Sequence, residues 1–284
     1  MSQAIMLVPV GSNVGLTSIS MGMVRAFEHQ GSKVKFFKPI EQSEHDYSQK
    51  LVQRGTGPLG PLTMTQFEVE QLLAENKLDL FLEKIIAICE QNFADNELLV
   101  MEGLINTRTL TYGIEVNQAI ARALGADVIL VASADDNDLH ALESRIDIAA
   151  SSYGGVEAEC VVGCIINKLG APQLEDTAHL LTQAQDELEL ENQLEAIKRM
   201  AIFHDDTFQL LGAIPWHANL LSPRVKDMAA YLNAEVINAG DIEHRRIRSI
   251  ALCTRTVANL VSHLKPGTLL VTAGDRSDIL VAAA

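Results

Sequence analysis

Phosphate chemistry asks for small residues in a turn, where backbone N–H groups can converge on the anion, followed by a helix whose N-terminus adds partial positive charge. The segment Val8-Pro-Val-Gly-Ser-Asn-Val-Gly-Leu-Thr-Ser has that make-up and stands between a first apolar run and a first helical stretch. Gly11, Ser12, Asn13, Gly15 and Thr17 are its candidate ligand contacts. The full phosphate-loop pattern, G-x-x-x-x-G-K-S/T, is not met: Val10 replaces the first glycine and Leu16 the lysine. That ammonium ordinarily reaches the β and γ phosphates and offsets charge developing during phosphoryl transfer. The loop is therefore expected to hold a phosphate-bearing ligand through backbone and helix dipole, without efficient transfer. A tight strand-to-helix turn is the plainer alternative.

Four further positions can complete such a site. Lys38 follows Phe37, at the carboxyl edge of a sheet where ligands of such folds collect, and can supply the missing positive charge. A solvated surface lysine accounts for it equally well. Asp46, in the polar stretch beyond, and Glu102, which with Gly103 ends the run Val100-Met101-Glu102, are candidate magnesium ligands beside Thr17. Asn167 ends another run, where its amide can pair with a nucleotide base or cap a turn.

The elements that must position these residues follow from the spacing of apolar residues. Runs at Ala4–Val10, Lys33–Phe37, Glu97–Met101, Asp127–Ala132, Cys160–Ile166 and Gln209–Ile214 read as strands, several of them apolar at nearly every position, as expected where both faces are covered. Helices are expected at Thr17–Gln30, closed by Gly31, and at Glu115–Leu124, closed by Gly125. One or two more fall in Met64–Gln91 and another in Asp136–Tyr153, while Gln173–Arg199 reads as a surface helical insertion. Strands alternating with helices predict a doubly wound, mainly parallel α/β sheet for residues 1–220. A second α/β domain is expected over 221–284, with a helix at Arg224–Leu232 and strands at Ala234–Ile237, Ile250–Cys253 and Thr268–Thr272. The apolar ending at Ala284 suggests that this domain is truncated.

Composition narrows the function classes. A formal charge of -15 opposes general attraction to nucleic acid or an anionic membrane. No basic leader precedes the first apolar run and no apolar run approaches ~20 residues, so a cytoplasmic protein is expected. The four cysteines lie in apolar segments and read as reduced core thiols. Cys160 and Cys164 form no metal site, because no second ligand pair accompanies them. The eight histidines stand in no nucleophile motif, so hydrolase chemistry has no support. His244, Arg245, Arg246 and Arg248 form a small basic cluster that can meet an anion or an acidic surface, or be an ordinary solvated face.

Taken in order, Ile5-Met-Leu-Val-Pro, Gly15-Leu-Thr-Ser-Ile-Ser, Phe37-Lys-Pro-Ile, Val100-Met-Glu-Gly-Leu, Ile166-Asn-Lys-Leu and Leu211-Gly-Ala-Ile-Pro-Trp resemble the N-terminal region of long-form bacterial phosphate acetyltransferases. That region is itself similar to dethiobiotin synthetase, an ATP-dependent ligase with lysine in its phosphate loop. Leu16 departs from the synthetase and agrees with the acetyltransferases. The likeness to the synthetase implies Thr17, Lys38, Asp46 and Glu102 around phosphate and magnesium, and Asn167 at the base. Ala234-Glu-Val-Ile-Asn-Ala-Gly-Asp and Val271-Thr-Ala-Gly-Asp-Arg-Ser-Asp resemble the start of the DRTGG domain that follows in that family.

The resemblance implies a parent enzyme that interconverts acetyl-CoA and phosphate with acetyl phosphate and CoA. Its catalytic domain lies beyond this chain, so no catalytic residue is carried over. It also implies a regulatory role for this region, in an oligomer that is usually a hexamer and responds to ATP, NADH, pyruvate or phosphoenolpyruvate. The leading expectation is a sensor of a nucleotide or other phosphate-bearing metabolite that requires no cofactor. A free-standing ATP-dependent ligase and a purely structural assembly domain are the alternatives.

Overall fold

The first strand shows how the sequence builds the sheet. In β1, Ala4–Pro9, every residue to Val8 is buried, and alternation sends Ile5 and Leu7 to one face and Ala4, Met6 and Val8 to the other. A strand apolar on both sides needs helices on both sides. Helix α1, Leu16–His29, supplies one cover, burying Leu16, Ile19 and Val24 at helical spacing. It ends in a left-handed Gly31 whose N–H donates to the Glu28 carbonyl while that of Ser32 donates to Phe27, a Schellman closure.

The computed structural model describes residues 3–42, 63–93, 97–106, 111–134, 138–171, 187–204, 207–217, 222–254, 256–257 and 265–283. The chain divides into two compact units. Unit 1 comprises Met1–Ala171 and Asp186–Trp216; the described residues of unit 2 lie within His217–Ala284.

Unit 1 is built on a six-stranded sheet formed by β1, β2 (Val34–Phe37), β5 (Leu98–Glu102), β6 (Asp127–Ser133), β7 (Val161–Leu169) and β8 (Gln209–Pro215), in the order β2-β5-β1-β6-β7-β8. Every pairing within it is parallel. A short pair, β3 (Ile40–Glu41) with β4 (Met64–Thr65), lies beside α2, Gln66–Ala74. The face opposite α1 is covered by α3 (Leu78–Asn92), α4 (Gly113–Leu124), α5 (Leu139–Ser151) and α6 (Glu187–Lys198), which bury Phe81, Ile85, Val116, Ile120, Ile146 and Ile197. This is the expected doubly wound α/β architecture. Connections leave β1 toward β2 and cross it from β5 to β6, so the switch point lies at the carboxyl end of β1.

Unit 2 contains α7 (Val225–Tyr231), the parallel pair β9 (Ser249–Leu252) and β10 (Thr268–Val271), and α8 (Ser277–Ala283). The strand expected at Ala234–Ile237 is absent: these residues are irregular and exposed, Ile237 at 96%. Left-handed Asn233 before it and the Asn238–Gly240 turn after it leave too little extended chain to pair. Only Glu187–Lys198 of the expected 173–199 insertion is described as helix; residues 173–186 lie outside the described residues. Among the described residues no helix is long and apolar enough to cross a membrane.

The four thiols are free. Cys164 lies buried on β7, whereas Cys160 sits in the exposed turn before the strand rather than on it. Burial pushes the Cys164 thiol up to about 12, and burial followed by the charge of Glu90 pushes Cys89 up to about 11. At pH 8 an alkylating reagent should therefore modify Cys160 first in the native protein, with Cys89, Cys164 and buried Cys253 reacting only on unfolding. Peptide mapping of the labelled chain checks this order.

Candidate functional site

The loop leaving β1 turns at Asn13 and Gly15, both with left-handed backbone. Only Gly15 is also constrained by a neighbour, since a Cβ there would collide with the Asn167 amide nitrogen. Gly11 faces open space, and Gly11, Ser12 and Asn13 are exposed. Buried Val14 anchors the loop to the α1 side of the sheet. Gly15 is the N-cap of α1, no side chain caps that end, and no acidic residue lies in the first turn. The first-turn N–H groups and their partial positive charge thus face the loop without side-chain competition.

Two expected site residues converge on one atom of a third. Glu102 ends β5, where the register sets it beside Leu7 of β1 and, one step past Phe37–Met101, beside Lys38. Its Oε1 accepts from the Lys38 ammonium at 2.7 Å and from the Thr17 hydroxyl at 3.0 Å. The Lys38 and Glu102 side chains are only 7% and 1% exposed, so the lysine is a buried partner of the site and not a surface residue. Lys38, just past the end of β2, thus places an ammonium against the Glu102 carboxylate.

Asn167, expected at a nucleotide base or as a turn cap, holds the loop. From the carboxyl end of β7 its amide donates to the Val14 carbonyl at 2.9 Å, pinning the loop to the sheet. Ser133, its register partner at the end of β6, is buried, and its hydroxyl has no hydrogen-bond partner among the described residues. Asp46 lies outside the described residues. Among the described residues there is no group of three or more His, Cys, Asp or Glu suited to a metal ion.

Two positioning residues escape sequence reasoning. Asn117, buried on α4, grips Leu104 at both backbone groups, accepting from its N–H at 2.8 Å and donating to its carbonyl at 2.9 Å. It also hydrogen-bonds Tyr153, whose phenol is pushed up by burial. Gln42 does the same to Ile105 from the other side, at 3.0 and 2.9 Å. Gly103 passes close beneath, and a Cβ there would come within 2.9 Å of the Leu7 carbonyl. The chain leaving Glu102 is thereby clamped, which fixes the carboxylate. The available signal was Asn117 itself, a polar residue in the stripe Gly113, Val116, Ile120 and Ala121.

Residues 3–224 match the AAA domain family and residues 227–284 the DRTGG domain family. A phosphate acetyltransferase of Nitrosomonas europaea is 38% identical over 278 residues, 96% of this chain and 38% of that protein. One from Pseudomonas aeruginosa is 40% identical over 282 residues, 98% of this chain and 39% of its own length. One from Salmonella typhimurium is 38% identical over 292 residues, 100% of this chain and 40% of its own. The chain thus spans about two fifths of the length of the curated relatives it matches.

Proposed function

This chain belongs to the AAA domain family and continues into a DRTGG domain, and from that premise we propose that it is the regulatory, assembly-supporting part of a phosphate acetyltransferase. Its loop after β1 would bind a nucleotide or another phosphate-bearing metabolite without turning it over. The convergence of Thr17 and Lys38 on Glu102 beside an uncapped helix N-terminus carries this reading. A ligand phosphate would meet the first-turn N–H groups of α1 and accept from the Lys38 ammonium, which offers several donors while it keeps the Glu102 carboxylate neutralised. Thr17 and Glu102 would hold magnesium if it accompanied the ligand. The ammonium already beside Glu102 makes the cation dispensable for binding. In the parent protein, acetyl transfer between CoA and phosphate would belong to the part of the relatives this chain does not span. The oligomer, expected to be a hexamer, is inferred from the resemblance alone.

Calorimetric titration with ATP, with and without magnesium, and then with NADH tests this. Saturable binding in the wild type, weakened in Thr17→Ala and without phosphate release, is the expected outcome. Turnover would favour the ligase alternative, and absence of any binding would leave a structural role. In an acetyl-phosphate assay the chain alone should read blank.

A further inference from the structure

The stretch after residue 221 differs in charge from the rest of the chain. Residues 222–284 hold eight Lys and Arg against six Asp and Glu, within a chain whose formal charge is -15. His244, Arg245, Arg246 and Arg248 share one concavity of about 370 Å³ with Pro266 and Gly267. That volume falls at the lower end of the ~300–1,000 Å³ typical of small-molecule sites.

Local structure puts the basic groups there. Ile247 is buried, so alternation along the extended backbone turns Arg246 and Arg248 together to the opposite side. The segment is held where the Ile247 N–H donates to the Pro223 carbonyl at 2.8 Å and the Arg248 N–H to the Gly267 carbonyl at 2.8 Å. The Arg246 guanidinium donates to the Ser222 carbonyl at 2.9 Å, which fixes its direction. Gly267 has a left-handed φ of 85°, and a Cβ there would press within 3.3 Å of the Arg248 side chain. The wall facing the arginines is therefore kept bare.

Nearby acids are already engaged. Asp227 binds Arg224, Glu243 binds Lys226, and Asp241 lies 3.0 Å from His244. Among the described residues neither Arg245 nor Arg248 has a carboxylate in ion-pair range.

We infer that this concavity is an anion site for a small phosphate-bearing metabolite. Guanidinium groups offer paired donors matched to phosphate oxygens, and several of them around one hollow suit a multiply charged group better than a single carboxylate. The strongly negative chain disfavours a nucleic acid as occupant. This site is separate from the loop after β1 and does not depend on the ligand proposed there.

The probes are inorganic phosphate and glycerol 3-phosphate, titrated calorimetrically in sulfate-free buffer of low ionic strength against the full chain. Wild type and Thr17→Ala should bind at least one of them saturably and alike. The double variant Arg245→Gln/Arg248→Gln, at exposed positions, should bind about tenfold or more weakly. Its thermal midpoint should stay unchanged; if it falls, Arg245→Lys/Arg248→Lys replaces it, keeping the charge, losing the paired donors and still weakening binding. Lack of saturation by either probe, equal affinity in the arginine variants, or loss confined to Thr17→Ala would each overturn the inference. So would tighter, arginine-dependent binding of a short single-stranded oligonucleotide, which would make the surface a nucleic-acid face.

Discussion

Lys38→Met should destabilise unit 1 by about 3–5 kcal/mol, the usual cost of removing one partner from a buried ion pair. The methionine fills the same space, so the loss is electrostatic: Glu102 stays 1% exposed without the ammonium 2.7 Å away. Adding Glu102→Gln to Lys38→Met should restore much of the loss, because a neutral amide no longer needs that charge. Urea unfolding followed by fluorescence of Trp216, the single tryptophan and a buried member of unit 1, reads the effect. An unchanged urea midpoint in Lys38→Met would mean that the pair carries no such weight.

Asn117→Leu should cost about 2–4 kcal/mol, since a near-isosteric apolar side chain leaves the Leu104 N–H and carbonyl without their partners inside the fold. The same change frees the chain that holds Glu102 in place, so ATP binding should weaken beyond what stability alone explains. Hydrogen exchange at the Leu104 amide gives a local readout and should speed up by orders of magnitude. Gln42→Leu, at a half-buried position, should do the same to Ile105 at smaller cost. Unchanged exchange at Leu104 in Asn117→Leu would remove Asn117 from the positioning role.

Five of the six central strands were legible because they bury apolar residues on both faces and are bounded by turn residues, while the partly exposed edge strand β8 was legible from its short apolar run alone. The same rule misread Ala234–Ile237, where a short apolar run lies on the surface with no partner strand. In the site, position was readable: Gly15, Thr17, Lys38 and Glu102 all follow from the carboxyl ends of strands. Pairing was not readable. Lys38 and Glu102 meet only because β2 and β5 are neighbours, across 64 residues of chain. Asn167 similarly reaches the Val14 carbonyl across 153 residues, a contact that spacing in the sequence does not reveal. Amide clamps such as Asn117 and Gln42 carry no motif, because what they recognise is backbone.

The central place of β1 in the sheet also sets the order in which a newly made chain can be finished. Ala4 pairs with Leu99 and Ile5 with Asp127, so β1, made before either neighbour, must wait for both of them. At ~5–20 residues per second that wait lasts from several seconds to some tens of seconds. Both edges of an apolar ribbon are open to other strands until β5 is made, and one edge until β6 follows. The arrangement that delivers the loop to the middle of the sheet therefore leaves β1 waiting for its neighbours through more of the chain than any other strand of the sheet, and makes it the strand most in need of a chaperone.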